Sequence, residues 1–103
     1  MAQFSAVWAL SAEAAKTGSL NATTASSIIT IGTDRKFVVT ATGAFNLRMA
    51  NSLTTSVTAA AATDFEFPGS AVFTLQTGPE QDSVYLFNPG ASSITYWLQP
   101  LSN

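Results

Sequence analysis

The chain has 103 residues, a net charge of −2 and only 10% charged residues, where soluble domains usually carry about a quarter. It has no cysteine and no histidine, which excludes a disulfide framework, a thiolate metal site, a cysteine nucleophile and the commonest general base. The length suits a single domain, residues 1–103, with one modest core.

The opening "MAQFSAVWALSAEAAK" has a short apolar run and an "ALSA" end but lacks the positive n-region of a secretion signal. Within it, Phe4–Leu10 is rich in β-formers, and "SAEAAK" (Ser11–Lys16) predicts a short helix capped by Ser11. "TGSLNATTASS" reads as loop. "SIITI" (Ser27–Ile31) is an apolar run of the buried-strand kind, and "GTDRK" makes a turn at Gly32 and Asp34. "KFVVTAT" and "AFNLRMA" flank Gly43. In the second, Phe45, Leu47 and Met49 face one way and Asn46 and Arg48 the other, the pattern of a half-wet antiparallel strand.

"NSLTTSVTAAAATDFEF" sets an alanine run against threonines and Val57, and reads as a long loop with some strand. A turn at Pro68-Gly69 then leads to a strand from Ala71 to Thr77. "GPEQD" is a turn, "SVYLF" a strand, "NPGAS" a turn and "SITYWLQ" the last strand. These last three strands read as a meander. About seven short antiparallel strands with Gly, Pro and Asn turns predict an all-β fold, a β-sandwich or jelly roll.

No catalytic constellation stands out. Serine and threonine are plentiful, but none has an imidazole to activate it. Lys16 and Lys36 are the only lysines for a Ser–Lys pair, and neither lies in a motif. Asp64 and Glu66 lie two apart on an extended chain; paired carboxylates serve acid–base work or calcium, and a solvated strand edge is the plainer reading. Glu80 and Asp82 read as a wet turn. Asn21 fits a glycosylation pattern in "NAT". The expectation is no enzyme, no cofactor and no metal.

Lys16, Arg35, Lys36 and Arg48 form no run, so nucleic acid is not an expected partner. No apolar stretch reaches the ~20 residues of a helical membrane span. The surface must be built from Ser, Thr, Asn, Gln and Ala, which suits a protein packed against neighbours.

The aromatics carry the remaining signal. By alternation Tyr85 and Phe87 oppose Val84 and Leu86, and Trp97 opposes Ile94, Tyr96 and Leu98. A hairpin would then carry Tyr85, Phe87 and Trp97 on one face and aliphatics with Tyr96 on the other. A sandwich core takes only one such face. The candidate subunit-contact or ligand-stacking residues are therefore Tyr85, Phe87, Trp97 and Trp8. Core packing, subunit contact and sugar stacking each account for them.

"TDFEFPGSAVFTLQTGPEQDSVYLFNPGASSITYWLQP" resembles the C-terminal half of small all-β accessory proteins of tailed bacteriophages. The shared texture is carried by Pro68-Gly69, Ala71–Thr77, Gly78-Pro79, Val84–Asn88, Gly90–Ser92 and Ile94–Leu98. It spans about a third of the chain and transfers no site residue. The resemblance implies a capsid decoration, cement or head-fibre role on the virion surface. The expected partners are copies of the chain itself, a trimer by analogy with capsid symmetry axes, and a major capsid protein. The alternative expectation is a carbohydrate-binding module with tryptophans stacked on a glycan.

Overall fold

A computed structural model describes residues 13–53 and 60–102. Eight strands are present: β1 (Lys16–Leu20), β2 (Ile29–Thr30), β3 (Lys36–Ala41), β4 (Phe45–Ala50), β5 (Phe65–Phe67), β6 (Val72–Gln76), β7 (Ser83–Phe87) and β8 (Ile94–Pro100). They form two four-stranded sheets, β1-β8-β3-β6 (sheet 1) and β2-β7-β4-β5 (sheet 2). Every pairing is antiparallel. This interleaved order is the jelly roll, in which successive strands mostly pass from one sheet to the other.

Alternation along each strand builds the core. Phe37 and Val39 of β3, Phe45 and Leu47 of β4, Val84 and Leu86 of β7, and Ile94 and Leu98 of β8 point inward and are buried. Phe37, Phe45, Leu86 and Leu98 are wholly enclosed, each contributing about 1.5–3 kcal/mol. Between β5 and β6 the core is closed by stacked rings. Phe45 and Phe67 lie parallel at 5.2 Å, and Phe67 meets Phe73 edge-on at 4.9 Å. Such contacts add to the burial of the rings.

The structure revises four expectations. Among the described residues there is no helix: Lys16 opens β1, and Glu13–Ala15 lead into it without a helical turn. A segment this short forms too few helical hydrogen bonds to compete with a strand ladder. Ser11, Ala12 and the strand expected at Phe4–Leu10 lie outside the described residues. Secondly, Thr17–Leu20 is strand and not loop. Gly18 faces Tyr96 across the β1–β8 ladder, and a Cβ there would stand 2.9 Å from the tyrosine Oη. The glycine thus makes room for the ring. Thirdly, the run Ser27–Ile31 is not uniformly buried. Ile29 and Ile31 enter the core, while Ile28 is 37% exposed.

Fourthly, the last three strands are not a meander. β6 and β8 lie in sheet 1 and β7 in sheet 2, so none of them pairs with another. The turns expected at 78–82 and 88–92 exist, but they carry the chain across the sandwich. Pro100 pairs with Phe37 of β3, but Leu101 N–H donates to Lys36 O, so the Pro100 nitrogen faces the β1 side, where β1 begins only opposite Leu98.

Two glycines fix the crossing of the β3–β4 and β5–β6 loops. A Cβ on Gly69 would lie 2.5 Å from the Gly43 backbone, and Ser70 N–H donates to Ala41 O at 2.8 Å. Gly69→Ala must therefore push two backbones apart, while Gly18→Ala displaces mainly the end of a tyrosine. Urea unfolding should show a loss of about 2 kcal/mol for Gly69→Ala and under about 1 kcal/mol for Gly18→Ala. Equal losses would contradict this packing.

Candidate interaction surface

The jelly roll has two outer faces and two ends, and the sequence finishes them differently. On sheet 2 the outward residues include Asn46 and Arg48 of β4 and Tyr85 and Phe87 of β7, with Asn46 beside Phe87 and Arg48 beside Tyr85. Phe87 also bridges Ala25. The loop before β5 folds back over this face. Asn46 Nδ2 donates to Asp64 O at 2.9 Å, and Arg48 Nε and Nη2 both donate to Asp64 Oδ1 at 3.1 and 2.9 Å. Ala61 N–H donates to Asp64 Oδ2 at 2.8 Å. Ala60 and Asn46 are consequently buried. Asn46 Oδ1 has no partner among the described residues, a local cost of about 1–3 kcal/mol. Asp64 thus ties a loop to a sheet. Glu66, expected to share its face, is exposed on β5.

Among the described residues, the outer face of sheet 1 carries exposed Thr17, Val72, Thr74 and Trp97. Thr17 of β1, Trp97 of β8, Thr40 of β3 and Val72 of β6 form one row across all four strands. Gln99, Val38 and Thr74 form the next. Trp97 is 44% exposed and Val72 70% exposed. A dimple of about 60 Å³ lies beside Trp97, between Val38, Thr40, Val72 and Gln99. The only charge among the outward residues of these strands is Lys36, at one end.

The shared aromatic face expected from a hairpin is therefore corrected. Tyr85 and Phe87 lie half-buried on the outside of sheet 2, and Trp97 lies on the outside of sheet 1. Alternation assigns each side chain to the right side of its own strand, but β7 and β8 belong to different sheets. Trp8 lies outside the described residues. Val72 was not singled out by sequence reasoning; its only signal was an apolar residue at an outward position of a strand.

The ends differ in charge. The neutral end carries the loops 21–28, 42–44, 68–71 and 88–93, and none contains a charged residue. Asn88 organises it. Fully buried, its Nδ2 donates to Leu20 O, Asn21 O and Ser92 O, and its Oδ1 accepts from Gly90 N–H. The opposite end holds Glu13, Asp34, Arg35, Glu80 and Asp82. Arg35 pairs there with Glu13 and donates to Leu101 O and Ile31 O.

Two open grooves remain. One, about 510 Å³, runs between the edges β1 and β2, past Lys16, Asn21, Thr24 and Tyr96. Its only aromatic, Tyr96, lies against Gly18, and burial raises its hydroxyl pKa. The other, about 420 Å³, is lined by Gly43, Ala44, Ile94 and the 88–92 loop of the neutral end and by the charged Glu66 of β5, with no aromatic. Neither offers a stacking platform for a sugar. Among the described residues no group of three or more His, Cys, Asp or Glu is placed to hold a metal.

No protein-family model and no curated protein matches the chain. Among solved structures it is similar to a de novo designed double-stranded β-helix, with a TM-score of 0.60 and 8% identity over 85% of this chain and 99% of that one. At that identity the likeness concerns the fold alone.

Asp82 anchors the 51–53 turn at the charged end. Ser52 Oγ donates to Oδ2 at 2.6 Å, Ser52 N–H to Oδ1 at 2.8 Å and Ser83 Oγ to Oδ1 at 2.9 Å. These bonds, that from the Ser52 hydroxyl foremost, favour the carboxylate and lower its pKa. A depressed folded-state pKa means the anchoring is complete above the unfolded value near 4 and is lost as pH falls through the lower folded value. The Ser52 amide resonance should titrate below about pH 4, and Asp82→Asn should abolish that titration. A Ser52 signal indifferent to acid would contradict the anchoring role.

Proposed function

We propose that this chain is a non-enzymatic structural protein of a virus particle, a capsid decoration or minor capsid protein of a tailed bacteriophage, seated on the capsid surface. The observation that carries the reading is the outer face of sheet 1. Among the described residues it is nearly uncharged and has the exposed Trp97 in its middle, while the opposite face is occupied by the chain's own loop. Aromatics are enriched where partners bury one another, and a surface with so few charges favours association. The major capsid protein is the proposed partner for this face.

Jelly rolls serve in viral capsids, in lectins and in metal-dependent cupins, so the fold alone does not choose among them. The absence of histidine in all 103 residues removes the usual metal ligand of the third class. The carbohydrate-binding reading rests on Trp97, the one tryptophan among the described residues. Its neighbours are mainly Thr and Val, and the nearby amide, Gln99, donates to Glu13 O and Pro100 O.

Tailed-phage particles shown by mass spectrometry to contain the chain provide the test. In a Trp8→Phe background, Trp97 fluorescence should be quenched by acrylamide in the free chain and shielded on the particle. Trp97→Ala should abolish co-sedimentation with particles lacking the chain and change stability by no more than about 1 kcal/mol. Shielding of Trp97 by soluble glycans, or unaltered docking of Trp97→Ala, would overturn the capsid reading of this face.

A further inference from the structure

We propose that a second copy of this chain pairs with the edge of β6, which among the described residues has no strand neighbour beyond β3, antiparallel about a two-fold axis at Thr74, so that two copies of sheet 1 become one continuous sheet. This deepens the structural reading above and rests on it for biological purpose, but its geometry stands on the isolated chain.

Each sheet has two edges, and three of the four edge strands are blunted in ways that discourage pairing. β2 has two residues, and β5 has three, including Glu66, with Pro68 next to it. β1 carries Lys16 and Gly18. β6, "VFTLQ", has five residues and no charge, proline or glycine. Val72, Thr74 and Gln76 are all exposed.

The direction of the backbone groups follows from the ladder. Thr77 N–H donates to Arg35 O, which makes Arg35–Thr77 a hydrogen-bonded pair. Alternation then makes Phe37–Leu75 and Val39–Phe73 the bonded pairs of the β3–β6 ladder. Leu101 N–H donating to Lys36 O sets the complementary phase on the other side of β3. The N–H and C=O groups of Val72, Thr74 and Gln76 therefore point away from β3, toward the open edge.

Those groups are self-complementary. With the axis at Thr74, Thr74 meets its own copy, Val72 meets Gln76 and Gln76 meets Val72, and every pair exchanges both N–H···O=C bonds. The strand brings no charge to repel its twin. On the inner side Phe73 of one copy meets Leu75 of the other. Phe73 itself meets Phe67 edge-on at 4.9 Å, and Phe67 meets Phe65, which is 72% exposed, at 5.0 Å. The axis stands perpendicular to the sheet, so both Trp97 side chains lie on the same side. The dimer presents one wide surface whose only charges from the strands are the two Lys36 side chains.

Sedimentation equilibrium of the chain alone tests this, with no particle present. The native chain is expected to dimerise. Thr74→Pro, which removes an outward N–H and no bond to β3, should leave a folded monomer by circular dichroism. Thr74→Lys and Thr74→Glu should each weaken the dimer, and an equal mixture of the two should restore it, because residue 74 faces itself only in this register. A native monomer at all concentrations, an oligomer of any symmetry that survives Thr74→Pro, or charge variants that mixing fails to rescue would overturn the pairing. Particle docking through Trp97 would be untouched by that outcome, and its own failure would leave the dimer intact.

Discussion

The structure depends on one shared core between two sheets whose strands come from distant parts of the chain. β8 is its keystone. It pairs with β1 on one side and β3 on the other, and it buries Ile94 and Leu98 against the opposite sheet. Because each strand gives alternate side chains to this core, each also gives an equal set to the outside. A chain with ten charged residues cannot dress two outer faces and two ends in charge. Where the few charges go decides which surfaces remain neutral.

Half of them are used for closure. Asp64 and Arg48 hold the loop before β5 over sheet 2, Arg35 gathers Glu13, Ile31 and Leu101, and Asp82 holds the 51–53 turn. What remains, among the described residues, is the outer face of sheet 1, with Lys36 its one charge, and an end whose loops hold no charged residue. That end is held together without a charged group, through the bonds of Asn88 and the close approach of Gly43 and Gly69. In the proposed reading, the surfaces left neutral are the ones that other protein molecules cover.

Much of the fold was legible in the sequence because it is written in short-range chemistry. Period-two alternation placed Phe45 and Leu47, Val84 and Leu86, and Ile94 and Leu98 on the core side of their strands. Turn residues at Gly32-Asp34, Pro68-Gly69 and Asn88-Gly90 marked where strands stop. Sheet membership was not legible, because alternation is the same whichever sheet a strand joins. Tyr85, Phe87 and Trp97 were thus assigned to one face and lie on two. β1 was hidden for a related reason. Thr17, Gly18 and Ser19 have turn-like composition, and they are strand only because β8, at the far end of the chain, pairs with them. Nor did the apolar texture of β6 disclose that it is an edge.

The most direct measurement is amide hydrogen exchange along β6 at low and high protein concentration. If this chain is made to be covered by other protein along its neutral surfaces, Phe73 and Leu75 amides, bonded to β3, should be protected at both concentrations. Val72, Thr74 and Gln76 amides should exchange freely in dilute solution and become protected in concentrated solution. If those three exchange equally fast at both concentrations, the open edge of β6 is not an assembly surface and the account fails at its centre.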